Sequence, residues 1–348
     1  MFRKIFFALT LFAQLTLLSQ QIETFYGPIE VEEPLILELL NSPAVQRLKA
    51  VHQYGDSYYT THREEYSRYD HSVGVFAILR LKGASFEEQI AGLLHDASHT
   101  VFSHVGDFLF NFESQKDAYQ DSVHEWFLKR YGVGEILERH GLTISQIHHK
   151  HGGFQALEQE LPNLCADRID YNIQGAYLRG MITKEEALEI VEDLEFSEGR
   201  WISTKPALMR KVALFSLLMT HSCWGSARSY LTSLWLADAL NRALAEKILS
   251  SEEISFGTDD QVWEKLQNAE DPHIQKMMAQ IATAESHFTL VERGEADLHV
   301  KRKFRGVDPW IRMGDRLVRL TAIDEEIRLE YERVKTVMRE GWQIKYVR

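Results

Sequence analysis

The segment LLHDASHTVFSHVGD, residues 93–107, sets three histidines and two aspartates into the apolar pattern of a buried helix. Buried imidazoles and carboxylates are costly unless they are paired, hydrogen-bonded or bound to a cation. Any fold of this chain must therefore bring partners to this place. In FEEQIAGLLHDASH, Ile90, Leu93 and Leu94 share one helical face. That leaves His95 and Asp96 at the end of the helix as it enters the core, where both reach one point.

A divalent metal accounts for such a pair, because neutral imidazole and carboxylate are ligands for ions of this type and the cation offsets the cost of burying the acid. Upstream, SRYDHSVGVFAILRL places His71 near the start of an amphipathic helix, three residues after Arg68. Downstream, CADRIDYN sets Asp167 and Asp170 beside Arg168 and Tyr171 in an otherwise helical, apolar region. One histidine, a His-Asp pair and a distant Asp would make four ligands on three helices.

Between Pro34 and Leu249 apolar residues recur at three- and four-residue spacing, which predicts helices starting near Pro34, Ser42, His71, Phe86, Ser122, Thr143, Thr183 and Pro206. Beyond residue 250, helical pieces in DDQVWEKLQNA and HIQKMMAQIATAE precede a strand, an amphipathic helix and a strand over residues 307–348. The fold class expected is all-α, a helical bundle with a small C-terminal α+β appendage. The 348 residues exceed the usual span of one core, so the bundle is placed at 21–250 and the appendage at 251–348.

Residues 1–20, MFRKIFFALTLFAQLTLLSQ, have the order of a secretory signal peptide: Arg3 and Lys4, an apolar run, then a polar end. Export, to a periplasm or beyond the cell, is the expectation. The alternative is a cytoplasmic or N-terminally anchored protein with these residues retained. The run is too short for a comfortable membrane span. Cys165 and Cys223 lack metal-site spacing and read as structural thiols, with a single bridge as the alternative. A formal charge of −12 argues against strong binding of nucleic acid through the net field, and means that a phosphorylated substrate needs local compensation. The loop HVKRKFRGVDP holds Lys301, Arg302, Lys303 and Arg305 and reads as a solvated face, with a phosphate or partner site as the alternative.

The order H…HD…D resembles the HD-domain metal-dependent phosphohydrolase superfamily. The finer spelling RYDHSVGV, IAGLLHDASHTVFSHVGD, VHEWF and ADRIDY is similar to its deoxynucleoside triphosphate triphosphohydrolase branch, over about Gln46 to Tyr171 and more thinly to about Pro272. The resemblance implies an HD-domain bundle with His71, His95, Asp96 and Asp167 as metal ligands, and Arg68, Arg168 and Tyr171 near substrate phosphates. His104, Asp107 and His124 match the catalytic group that manages protons around the attacking water and leaving oxygen. His99 matches a histidine that faces a phosphate. His124 beside Asp107 would suit an imidazole held in one tautomer by an acid.

Each of these residues also has a bland reading. A single histidine in such a chain is more often a hydrogen-bonded core residue than a ligand, but five at these spacings with Asp96 and Asp167 reverse that preference. Asp170 reads as a cap or a partner of Arg168. The HHKH tract at 148–151 matches no ligand position and reads as a solvated loop.

The chain departs from the branch at Ser98 and Val101, where the pattern has Gly and Pro. It departs further in HSCWGSARSYLTSLWLADAL, where Trp224, Arg228, Tyr230 and Trp235 replace the usual grip on base and triphosphate. The expected function is hydrolysis of a nucleotide, with a divalent ion (Mn, Fe, Mg, Zn or Ni) as cofactor, most closely as a dNTP triphosphohydrolase. The alternatives are a 5′-nucleotidase-like or other phosphomonoesterase, and a non-catalytic sensing module. The expected partner is a nucleotide or other phosphorylated small molecule; the sequence leaves a homo-oligomer open.

Overall fold

The computed structural model of the protein describes residues 19–61, 66–111 and 118–347. The leader expected at 1–20 lies outside these residues, apart from Ser19 and Gln20. The described chain opens with β1 (Gln20–Ile22) paired antiparallel to β2 (Ile29–Val31). Helices α1 (Pro34–Leu40) and α2 (Pro43–Arg47) follow, each with proline in its first turn, where the missing N–H costs no hydrogen bond.

Helix α3 (Arg68–Leu81) runs through the centre of the bundle. It starts three residues before the position expected from apolar spacing because Ser67 and Asp70 form a capping box. Ser67 Oγ accepts from the Asp70 amide at 3.1 Å, and the Ser67 amide donates to Asp70 Oδ2 at 3.0 Å. His71 therefore sits at the end of a capped first turn. Helix α3 is apolar nearly all round, as a helix buried on every side must be. Val73, Phe76 and Ala77 join Ile90, Leu93 and Leu94 of α4 (Phe86–Leu94) and Phe127 and Leu128 of α5 (Tyr119–Arg130) in one apolar cluster. Its Val75, Ile78 and Leu79 join Ile169 and Ile173 of α6 (Ala166–Leu178) and, beyond α7 (Lys184–Asp193), Phe215 of α8 (Pro206–Ser222) in another.

The all-α expectation holds for this core and is corrected in its strands. In EFSEGRWIS, β3 (Glu195–Ser197) and β4 (Arg200–Ser203) form a hairpin inside the helical region. Its two connecting residues, Glu198 at φ 52° and Gly199 at φ 70°, take the left-handed backbone that such a turn requires.

After α9 (Ala227–Ala245) and α10 (Pro272–Ala282), the C-terminal stretch adds β5 (Phe288–Leu290), β6 (Leu298–Val300), β7 (Trp310–Met313), β8 (Arg316–Arg319), α11 (Glu325–Glu340) and β9 (Trp342–Tyr346). Strands β5 and β6 pair with β9, whereas β7 joins β4 in parallel, giving a sheet of order β3-β4-β7-β8. The C-terminal residues Val307, Ile311, Leu320 and Ile327 are buried in the same cluster as Ile169 and Phe215. Among the described residues, no helix is long and apolar enough to cross a membrane. Cys165 and Cys223 are buried and not joined in a disulfide.

Candidate active site

Three elements converge on one buried point. His71 comes from the first part of α3, His95 follows the last residue of α4, and Asp167 lies in the first turn of α6. The His71 and His95 Nε2 atoms are 3.2 Å apart, and Asp167 Oδ1 lies 3.1 Å from the first and 3.7 Å from the second. Both Nδ1 atoms face away. His71 Nδ1 donates to Asp170 Oδ2 at 2.7 Å, and His95 Nδ1 donates to the Gly92 carbonyl at 2.7 Å. Each imidazole is thus held in the tautomer that presents its Nε2 lone pair to the shared point, the arrangement of metal-ligating histidines.

Asp96 closes the fourth side, with carboxylate oxygens 3.6 Å from His71 Nε2 and 3.5 Å from His95 Nε2. It accepts from Arg68 Nη1, while His99 Nε2 lies 3.2 Å from its other oxygen. Arg68 and Ser103 are linked through Nε and Oγ at 2.7 Å, and Ser103 has a left-handed backbone at φ 58° that is strained for a residue with a side chain.

Burial alone would drive the His71 proton off. The hydrogen bonds to Asp167 and Asp170 and the charge of Asp96 outweigh it and hold the imidazole up to about 10. The acids thus create a demand for positive charge between two inward-facing lone pairs. This donor set fits a divalent cation, which would take the place of that proton.

Asp170 does not pair with Arg168, which corrects the expected pairing, and its carboxylate meets His71 at Nδ1, away from the shared point. It is fully buried beneath His71 and accepts from Tyr66 at 2.8 Å, Tyr26 at 2.9 Å and Gln174 at 2.9 Å as well as from His71. Gly74 makes room for it, since a Cβ there would collide with Asp170 Oδ1. Arg168 instead donates to the Asn163 carbonyl at 2.9 Å and lies 3.6 Å from Glu158. Tyr171, one turn beyond Asp167, stands 6.3 Å from the His71 ring and packs edge-on to Trp224 at 5.8 Å.

The expected catalytic group is divided. His104 and Asp107 pair with each other at 3.1 Å, with the His104 side chain 52% exposed. His124 is not held by Asp107; it is fully buried, and its Nδ1 lies 2.8 Å from Ser98 Oγ. Burial, reinforced by His149 and His148, pushes its pKa well below the ordinary range, so it is neutral. His99 faces Asp96 and the His104 ring, not open space. Burial and the Arg68 charge lower its pKa to about 4. The HHKH tract is likewise no solvated loop. His148 and His149 are buried, and His149 Nε2 lies 3.0 Å from Asp121, with its ring 4.7 Å from that of His124. The apolar Ile147 before the tract was the available signal, but nothing local pointed to Asp121.

The chain is similar in sequence and fold to known proteins. An HD domain model matches residues 68–172. The uncharacterized protein YdhJ of Bacillus subtilis is 29% identical over 334 residues, covering 94% of this chain and 98% of that one. The metal-dependent phosphohydrolase cns2 of Cordyceps militaris is 37% identical over 172 residues, 49% of each chain. Human deoxynucleoside triphosphate triphosphohydrolase SAMHD1 is 30% identical over 141 residues, which is 34% of this chain and 22% of that one. A phosphohydrolase structure from Bacteroides thetaiotaomicron shares the fold with a TM-score of 0.68 at 16% identity, over 94% of this chain and all of that one. Residues 68–172 thus match the HD domain, and this part of the chain, which carries a His/Asp cluster able to hold a divalent metal, is similar to named metal-dependent phosphohydrolases.

Proposed function

We propose that the protein hydrolyses nucleotides, with a dNTP as preferred substrate, cleaved by water to nucleoside and tripolyphosphate. The observation that carries this reading is the buried convergence of His71 Nε2, His95 Nε2 and Asp167 beside Arg168 and Tyr171. The metal, when bound, supplies a Lewis acid that lowers the pKa of water and polarises a phosphoryl oxygen. Asp170 and the Gly92 carbonyl fix the two histidine tautomers, and Arg68 and His99 orient Asp96. Arg168 and Tyr171 meet the phosphates next to Asp167, so that positioning and charge compensation are in place before reaction. His104, oriented by Asp107 and open to solvent, gives a proton to the leaving 5′-oxygen, and the attacking water gives up one proton in return. His124 acts one layer behind, through Ser98.

A second reading, a phosphomonoesterase, gains support from Arg228. That residue is drawn to Glu285 at 2.9 Å and lies near Thr60, so α9 adds no evident cation for a triphosphate. ³¹P NMR on the full chain separates the two, with Mn, Mg, Fe and Zn in turn and nucleoside tri-, di- and monophosphates as substrates. Tripolyphosphate from a dNTP is expected. Orthophosphate from monophosphates alone moves the assignment to the second reading, and no release from metal-loaded protein overturns both.

A further inference from the structure

An acidic protein that binds a polyanion needs a local source of positive charge, and the expected helix α9 does not provide it. The C-terminal loop joining β6 to β7 does. Its ends are tied to the HD core. Arg302 donates to the Trp224 carbonyl at 3.0 Å, the Val307 amide to Ser216 Oγ at 3.1 Å, and the Asp308 amide to the Pro162 carbonyl at 2.9 Å. Trp224 packs on Tyr171, and Pro162 shortly precedes the start of α6. The residues between these ties therefore run past the start of α6, where the charge of Arg305 reaches Tyr171 and that of Arg168 reaches Lys303.

Those residues include Lys303 and Arg305. Neither lies within ion-pair distance of an acid among the described residues. Glu158, the nearby acid outside the metal-binding set, is already shared by Lys150 at 3.2 Å and Arg168 at 3.6 Å. Partial burial, then repulsion from Arg305, Arg168 and Lys150, lowers the pKa of Lys303, which places these cations in one field. Beside them the Trp224 indole Nε1 is buried without a hydrogen-bond partner among the described residues. Lys150 also has Asp121 at 3.6 Å, whereas Lys303 and Arg305 have no such acid among the described residues; like charges gathered in this way are unfavourable by themselves, and an anion bound among them removes the repulsion.

We propose that Lys303 and Arg305, with Lys150, form the phosphate-chain subsite of this active site, so that the C-terminal loop sets the preference for polyphosphorylated over monophosphorylated ligands. The proposal rests on the nucleotide-hydrolase reading for its substrate, but its geometry concerns binding and can be tested without turnover. Calorimetric titration of the full chain in Mn²⁺ with inorganic tripolyphosphate, and separately with orthophosphate, measures it directly. Lys303→Ala and Arg305→Ala should each weaken tripolyphosphate binding by at least about tenfold, the loss typical of a charge-assisted contact. Orthophosphate binding should fall less, and the exposed loop variant Lys301→Ala should bind as wild type. Lys303→Glu, at an exposed position, provides a second variant if Arg305→Ala does not fold. Equal tripolyphosphate affinity in wild type and folded Lys303 variants overturns the proposal, as does a wild type that binds no tripolyphosphate. Loop-dependent binding without phosphate release from any nucleotide supports the subsite and overturns the hydrolase reading instead.

Discussion

Asp170 shows how much of the centre depends on a side chain that lies behind one of its histidines. Its carboxylate accepts from His71, Tyr66, Tyr26 and Gln174 inside a fully buried pocket. Asp170→Asn puts an amide donor among these donors and weakens the hold on His71 Nδ1. Mn²⁺ affinity, measured by calorimetry, should fall by about 10–100-fold, as for other partners of ligating histidines; an unchanged affinity would remove Asp170 from the metal's support.

His71 makes a second, pH-dependent statement. In metal-free protein its pKa of about 10 lies above the ordinary 6.5, so its proton stabilises the fold fully below about pH 6.5. That contribution is lost as pH rises through 10. The thermal midpoint of chelator-treated protein should therefore decline between about pH 7 and 10, and saturating Mn²⁺, which replaces the proton, should flatten the decline. A metal-free midpoint that stays level over this interval would show that the acids leave His71 neutral.

Among the helices, the crossing of α3 and α6 is the most sensitive contact, because it is closed at Gly74. A methyl group there would overlap Asp170 Oδ1 and crowd Gln174 Nε2. Since both acceptor and amide belong to the buried network under His71, neither can retreat into solvent. Gly74→Ala should cost about 1–3 kcal/mol in chemical denaturation, the usual range for overpacking, and should weaken metal binding in parallel. Ala has the higher helix propensity, so a stabilised variant with intact metal binding would mean that the helices separate at no cost. Helix starts such as Ser85 and Thr183 were legible locally because a cap and its partner lie within three residues, whereas the Ser67 cap was hidden by the apolar spacing that begins at His71. The β3–β4 hairpin was not read: Glu198-Gly199 is its one local signal, and the pairing of β4 with β7 joins residues far apart in the chain.

Across the molecule, the C-terminal stretch belongs to the core that carries the site. Val307, Ile311, Leu320 and Ile327 bury against the cluster containing Ile169 and Phe215. At about 1.5–3 kcal/mol for each buried aliphatic side chain, their removal would cost about 6–12 kcal/mol, comparable with the whole stability of a typical domain. A chain ended at residue 250 should therefore lack a cooperative thermal transition by circular dichroism. A sharp transition near that of the full chain would show that the helical part stands alone.

The H…HD…D order, its metal chemistry and the helical core could be read along the chain, because ligand spacing, apolar periodicity and capping are properties of neighbouring residues. Asp170 under His71, the separation of His124 from Asp107 and the burial of His149 against Asp121 required the folded chain. In each case the partner is chosen by the approach of segments that lie far apart in sequence, and alternation or spacing carries no record of that approach. The same holds for the C-terminal cations. In sequence Lys303 and Arg305 are an ordinary charged loop, and only the ties to Trp224, Ser216 and Pro162 hold that loop against the helical core near the start of α6.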